Sequence, residues 1–207
     1  MKILMTCNQT IRIDVLICAF RRATLEETLQ SIDAQETPPE TSIRVIVADN
    51  DDAPSGEILV TRVAASMKTP VVYAHAPARN ISIARNRCLD LADGDWVAFI
   101  DDDERAAPDW IASLYRHATT EGYDAVFGPA LAEYGDAAPE WIRERDYHSN
   151  RPLKRWGEVQ TGHTCNALLR WRGGPFETER FLLEKGRSGG EDTEFFFRLW
   201  RNGAKFG

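Results

Sequence analysis

Four consecutive acids, Asp101, Asp102, Asp103 and Glu104, follow directly on the apolar run WVAFI at 96–100. Carboxylates a few ångströms apart repel by roughly 3 kcal/mol per pair at an effective dielectric of 20. Such a cluster persists where a cation, open water or proton uptake relieves it. Hard oxygen ligands at i and i+2 can meet a divalent cation from one side, as Mg2+ or Mn2+ requires when it bridges phosphates. The competing account is a solvated turn. Two features favour chemistry: the apolar run fixes where the acids emerge, and SIRVIVADN at 42–50 carries Asp49 to the end of a second strand.

Two further groups have the residue types for chemistry. GGED at 189–192 sets Glu191 and Asp192 at the start of a helix, where carboxylates favour the dipole in any case. The chemical alternative is a general base held by the helix behind a flexible diglycine. ARNISIARNR at 78–87 places Arg79, Arg85 and Arg87 just before the acid strand, where a forked guanidinium could meet a diphosphate. Exposed helix arginines are more often simply solvated. Of the four histidines, only His163, in TGHTCN, sits in a plausible acceptor loop, and none has ligand spacing. GxGxxG, the P-loop and HExxH are all absent, which removes their chemistries.

The elements that must position these groups follow from hydrophobic periodicity. Apolar runs at 12–19, 42–50, 71–76, 95–100 and 124–131 read as strands. Helical spacing lies between them: Leu25, Leu29 and Ile32, then a looser stretch at 57–67, then Ala84, Cys88 and Leu91, then Trp110, Ile111, Leu114, Tyr115 and Ala118. Thr24 with Glu27 fits a capping box at the first helix. The alternation predicts an α/β domain with a mostly parallel sheet, whose ligands bind at the carboxyl ends of the strands. Asp49 and Asp101 both occupy such ends. Beyond 130 the chain is polar and aromatic, with a short helix at 139–145, a strand near 164–170 and a last helix carrying Phe195, Phe196, Leu199 and Trp200.

The chain has 207 residues, 43% of them hydrophobic and 10% aromatic, enough for one domain or one domain of two lobes. A net charge of −7 argues against a nucleic-acid partner. No run approaches the ~18 to 20 apolar residues of a membrane span, and the first residues lack the apolar core of a cleavable signal. Cys7, Cys18, Cys88 and Cys165 are far apart and read as reduced thiols, which predicts a cytoplasmic protein. Residues 141–157 mix aromatics with five basic side chains. They read first as a solvated loop and second as a surface for peripheral association with anionic lipid.

Taken in order, VLICAFRRATLEETLQSI, VIVADND, NISIARNRCLDLADGDWVAFIDDDE and GGEDTEFFFRL resemble family 2 glycosyltransferases of the GT-A fold, and among these the bacterial exopolysaccharide enzymes of succinoglycan glucosyltransferase type. The resemblance covers most of residues 13–199. It implies a single GT-A domain over 12–207, with a nucleotide-sugar half at 12–104 and an acceptor half at 105–207 that is shortened at its C-terminus. It also implies that Cys18, Ala19, Phe20 and Asp49 hold the nucleobase and that Arg85 approaches the nucleotide. Asp101 and Asp103 match the D-x-D pair, Asp101 near the ribose and Asp103 on the Mn2+ or Mg2+ ion that bridges the diphosphate, while Asp102 assists. Asp192 matches the catalytic base and Glu191 its acceptor-binding neighbour. The implied reaction is an inverting transfer from a nucleotide sugar, expected to be UDP-linked, to a glycan or lipid-linked saccharide. The alternatives are a nucleotide-sugar or metal-binding module without turnover and, lower, a receiver domain, for which no lysine is suitably placed.

Overall fold

A computed structural model describes residues 10–207; Cys7 lies outside the described residues. In chain order the elements are β1 (Ile11–Ala19), α1 (Leu25–Asp33), β2 (Thr41–Asp49), α2 (Glu57–Ala64), β3 (Val71–His75), α3 (Ile81–Leu91), β4 (Trp96–Ile100), α4 (Trp110–Glu121), β5 (Ala125–Phe127), α5 (Glu140–Arg145), β6 (Lys154–Arg155), β7 (Glu158–Val159), β8 (Asn166–Arg170), a 3-10 turn (Leu183–Lys185) and α6 (Glu191–Arg201). Six strands form one sheet in the order β3-β2-β1-β4-β8-β5. Neighbours among β3, β2, β1 and β4 are parallel, whereas β8 runs antiparallel between β4 and β5.

Strand periodicity divides the core into two layers. On β1, Ile13, Val15, Ile17 and Ala19 face a cluster built with Leu25, Leu29 and Ile32 of α1, Val60 and Val63 of α2, and Ile111 and Leu114 of α4. Leu16 faces the opposite cluster, with Ala84 and Cys88 of α3 and Phe195, Phe196 and Leu199 of α6. Helices thus cover both faces, so the parallel strands are apolar on both sides. Asp14 is the exception in β1 and is wholly buried. Its carboxylate accepts two bonds from Arg44 (2.9 and 2.7 Å) and one each from the Asp93 and Gly94 amides (2.8 and 2.9 Å). It therefore ties β2 and the approach to β4 onto β1.

Three local expectations change. The capping box does not form: Thr24 has helical dihedrals and makes no side-chain cap bond, its hydroxyl donating instead to the Asp102 carbonyl at 3.1 Å. The strand expected over 124–131 spans only β5, while residues 205–207 run beside it, with Phe206 bridged in parallel to Ala125. The two-residue strands β6 and β7 form a hairpin that apolar periodicity cannot reveal. Its turn needs φ of 51° at Trp156 and 86° at Gly157, and only the glycine advertises that conformation.

Candidate functional site

The acid cluster sits at the carboxyl end of β4, clasped by the loop from β1 into α1. The Phe20 amide donates to the Asp102 carboxylate at 2.8 Å, and the Thr28 hydroxyl to the Glu104 carbonyl at 2.7 Å. The Asp101 amide donates to the Glu104 carboxylate at 3.0 Å. The Arg22 guanidinium lies 3.3 Å from Asp102 and also pairs with Asp103. Burial pushes the Asp101 carboxyl up, against the opposing pull of Arg85. Burial likewise carries Asp102 to about 6 and Glu104 to about 7. Repulsion is thus relieved by the Arg22 and Arg85 guanidiniums and by easier proton uptake.

The cluster also fits a divalent ion. No group of three or more His, Cys, Asp or Glu side chains among the described residues converges to form a complete protein cage. Asp103 offers a carboxylate whose side chain is 40% exposed and bound by no backbone donor. One or two carboxylates completed by substrate phosphates and water is the usual Mg2+ arrangement. A cation already stands against the acids in the form of Arg22.

Beside the cluster lies a cleft of about 310 Å3, lined by Ala19, Arg21, Arg22, Asp49, Ser55 and Leu59 among others. Asp49 is buried at its base. One of its oxygens accepts from the Asp51 amide (3.0 Å), the other from the Gly56 amide (2.7 Å) and the Tyr73 hydroxyl (2.8 Å). Carboxylate oxygens offer about four acceptor positions, so one remains for a further donor. Arg21, at φ 57°, makes a two-pronged bond to Asp51 at 2.7 Å and lies 5.2 Å over the Phe20 ring. Phe20 is part-exposed above Ala19. Cys18 faces the other side of the sheet and packs against the α3 layer, because successive strand residues alternate. Its hydrogen bond to Cys88 and its burial hold the thiol well above the usual range.

On the far side of the acids, Gly189 and Gly190 both adopt left-handed dihedrals (φ 84° and 82°), which turns the chain sharply into α6. Glu191 is buried and its carboxylate pairs with the buried Arg85 guanidinium. Arg85 also lies 5.4 Å over the Phe181 ring. Asp192 accepts from the Thr193 amide at 2.7 Å and lies 3.0 Å from His163 Nδ1. Burial works against the Asp192 charge, but the hydrogen bond from His163 and the nearby Arg85 outweigh it and hold the carboxyl below its ordinary range. His163 in turn lines a second, smaller cleft of about 70 Å3 with Phe127, Asn150, Arg151, Leu153 and Cys165.

The sequence-derived residues therefore gather at one end of the sheet. Ala19 and Asp49 border the larger cleft with Phe20 next in chain but outside its lining, Asp101, Asp102 and Asp103 form the cluster, and Arg85, Glu191 and Asp192 lie beyond it; Cys18 sits beneath. Arg22 and Tyr73 were not singled out from sequence. Arg22 carries one signal, its place three residues past the β1 end. Tyr73 carries none, since an aromatic in a strand reads as core.

Residues 14–172 match the model of the family described as Glycosyl transferase family 2. The chain is 49% identical over 189 residues to the succinoglycan biosynthesis protein ExoM of Rhizobium meliloti (strain 1021), covering 91% of this chain and 61% of that protein. It is 29% identical over 140 residues to a glucosyl-dolichyl phosphate glucuronosyltransferase of Haloferax volcanii, covering 66% of this chain and 44% of the relative. The chain thus spans about three fifths or less of these relatives. In fold it resembles S. aureus TarS 1-349 in complex with UDP-GlcNAc (TM-score 0.70, 15% identity, 95% of this chain and 55% of that one). It also resembles the mannosyltransferase PcManGT of Pyrobaculum calidifontis in complex with GDP-Man and Mn2+ (TM-score 0.72, 19% identity, 94% and 53%).

Proposed function

Because the chain belongs to glycosyltransferase family 2 and has the GT-A fold, we propose that it transfers a sugar, with inversion, from a nucleoside-diphosphate sugar to a hydroxyl of a glycan or lipid-linked saccharide in polysaccharide synthesis. One observation carries the reading: a cleft of nucleotide size, an acid cluster and a candidate base lie in sequence along one end of the sheet. Residues 12–104 hold the donor and 105–207 the acceptor. Asp49 is positioned to accept from a nucleobase N–H in the larger cleft, with Ala19 as part of its wall, Phe20 at the chain position beside it and the Cys18 backbone behind. Asp101 approaches the ribose, Asp102 holds the β1–α1 loop in place through Phe20, and Arg85 fixes Glu191 beside the acceptor.

Asp103 would hold an Mn2+ or Mg2+ ion, which when bound neutralises charge on the departing diphosphate. Asp192 supplies the basic function that takes the acceptor's proton, as a pre-positioned carboxylate on a helix start can do. The UDP-linked donor is supported by the UDP-GlcNAc complex of the TarS structure, and GDP by that of PcManGT. Titration calorimetry of UDP and of GDP, with and without Mn2+, tests the donor half. Micromolar, metal-dependent UDP binding is expected, and no binding of either nucleotide under any metal condition would remove the reading. Binding without donor hydrolysis or transfer would favour a non-catalytic nucleotide-sugar module.

The place of action is the cytoplasm, at the inner face of the plasma membrane. Among the described residues no helix is long and apolar enough to cross a membrane. The tip of the β6–β7 hairpin presents Trp156, 92% exposed, directly after the exposed Leu153, Lys154 and Arg155, the pairing of aromatic and basic groups that seats on anionic headgroups. Co-sedimentation with phosphatidylglycerol vesicles is expected and should weaken severalfold in Trp156→Ala. Equal recovery with neutral vesicles and with the variant would sink the association.

A further inference from the structure

Two neighbouring arginines line the larger cleft and are held differently. Arg21 commits both prongs of its guanidinium to Asp51 at 2.7 Å, and that acid is buried. Arg22 turns instead to the acid cluster. Its Nε lies 3.3 Å from one Asp102 oxygen, and its Nη1 bonds to Asp103 Oδ2. The Arg22 side chain is 53% exposed, so packing does little to hold it there. A guanidinium has five N–H donors, and these two contacts among the described residues leave others for a ligand.

On the transferase reading above, we infer that Arg22 is exchanged between the metal-site acid and the donor. Its Nη1 holds Asp103 against a divalent ion, and a nucleoside diphosphate in the cleft draws that Nη1 away, so that ion and donor bind together. The juxtaposition is specific: one side chain both bonds to Asp103 and lines the cleft assigned to the donor. Asp102, whose other oxygen takes the Phe20 amide, anchors the Arg22 Nε beside the cleft. The bland account of the same geometry is a solvated ion pair that contributes little.

Charge explains why the exchange needs a diphosphate. A guanidinium and a divalent ion on one carboxylate repel each other across a few ångströms. A diphosphate removes the conflict from both sides. Its anionic oxygens suit the forked donors of Arg22, and they also complete the coordination that one or two protein carboxylates leave open on Mg2+ or Mn2+. Linkage then makes the coupling reciprocal: the donor strengthens ion binding by the factor by which the ion strengthens donor binding. Arg21 takes no part, because Asp51 already engages both of its prongs.

The test is calorimetric titration of wild type, Arg22→Ala and Arg22→Lys, first with Mn2+ alone and then with UDP at saturating Mn2+. Arg22→Ala should bind Mn2+ alone about five- to tenfold more tightly, since a competing contact and a like charge are both gone. It should bind UDP about tenfold more weakly, the loss of one charge-assisted hydrogen bond. The opposite signs are the signature. An arginine that only touches the diphosphate would weaken UDP and leave Mn2+ affinity as it was, and one that only blocks Asp103 would not weaken UDP. Arg22→Lys keeps the charge and should bind Mn2+ much as wild type does. In an Asp103→Ala background the Mn2+ gain should vanish, which assigns the competition to that carboxylate. Unchanged Mn2+ affinity in Arg22→Ala, with a wild-type melting midpoint, overturns the inference, and so does tighter Mn2+ without loss of UDP affinity. A wild type that binds neither UDP nor GDP ends the transferase reading. The Mn2+ titrations need no nucleotide: a gain in Arg22→Ala then sustains the hold on Asp103, and equal affinity overturns it.

Discussion

Asp103→Ala should weaken UDP binding at least 100-fold in the presence of Mn2+ and leave the weak metal-free binding unchanged. A hundredfold loss corresponds to about 2.7 kcal/mol. The expectation rests on how differently the four acids are held. Asp102 takes the Phe20 amide and Glu104 takes the Asp101 amide, so shortening either side chain strips a backbone donor and loosens the loop. Among the described residues the Asp103 carboxylate is hydrogen-bonded by Arg22 and by no backbone donor, so its removal subtracts charge without removing a support. Its loss should leave the thermal midpoint near that of wild type, since exposed ion pairs contribute about 0–1 kcal/mol. Calorimetric titration in both conditions, beside a melting curve, separates the outcomes. Full Mn2+-dependent affinity in Asp103→Ala would remove Asp103 from the metal site. A lowered melting point would instead make the acid a partner of Arg22 before anything else.

The parts of the site that rest on strand ends were readable in the sequence, because an apolar run both predicts a strand and fixes the residue at which it stops. Asp49 and Asp101 belong to this class, and β2 and β4 place them as expected. The antiparallel insertion of β8 between β4 and β5 was not readable, since a five-residue apolar run carries no direction. Thr24 shows how a local rule loses to a tertiary one. Its sequence context fits a capping box, yet the Asp102 carbonyl, 78 positions away, takes the hydroxyl. His163 meeting Asp192 across 29 residues is likewise a product of the irregular loop, which has no periodicity to read. Arg85 is the deepest case. On a helix between two neutral neighbours it reads as a solvated cation, and only the approach of Glu191 from α6, 106 positions later, makes its burial tolerable.

That pairing sets the second large effect. Arg85→Met should cost about 3–5 kcal/mol of stability, because it leaves the Glu191 carboxylate buried without its cation. For a domain of this size each kcal/mol shifts the thermal midpoint by about 2–4 °C, so a drop of roughly 6–20 °C is expected. The double variant Arg85→Met/Glu191→Gln removes both charges and should regain most of the loss, since two neutral side chains bury far more cheaply than one orphaned ion. Activity should not return with stability. Arg85 is one of the charges that hold Asp192 ionised, and it also opposes the upward push on Asp101. Denaturant unfolding and UDP calorimetry on the three proteins distinguish this from simple nucleotide contact. An arginine that only touches the donor would lower UDP affinity while leaving the melting point in place, and the glutamine at 191 would then rescue nothing.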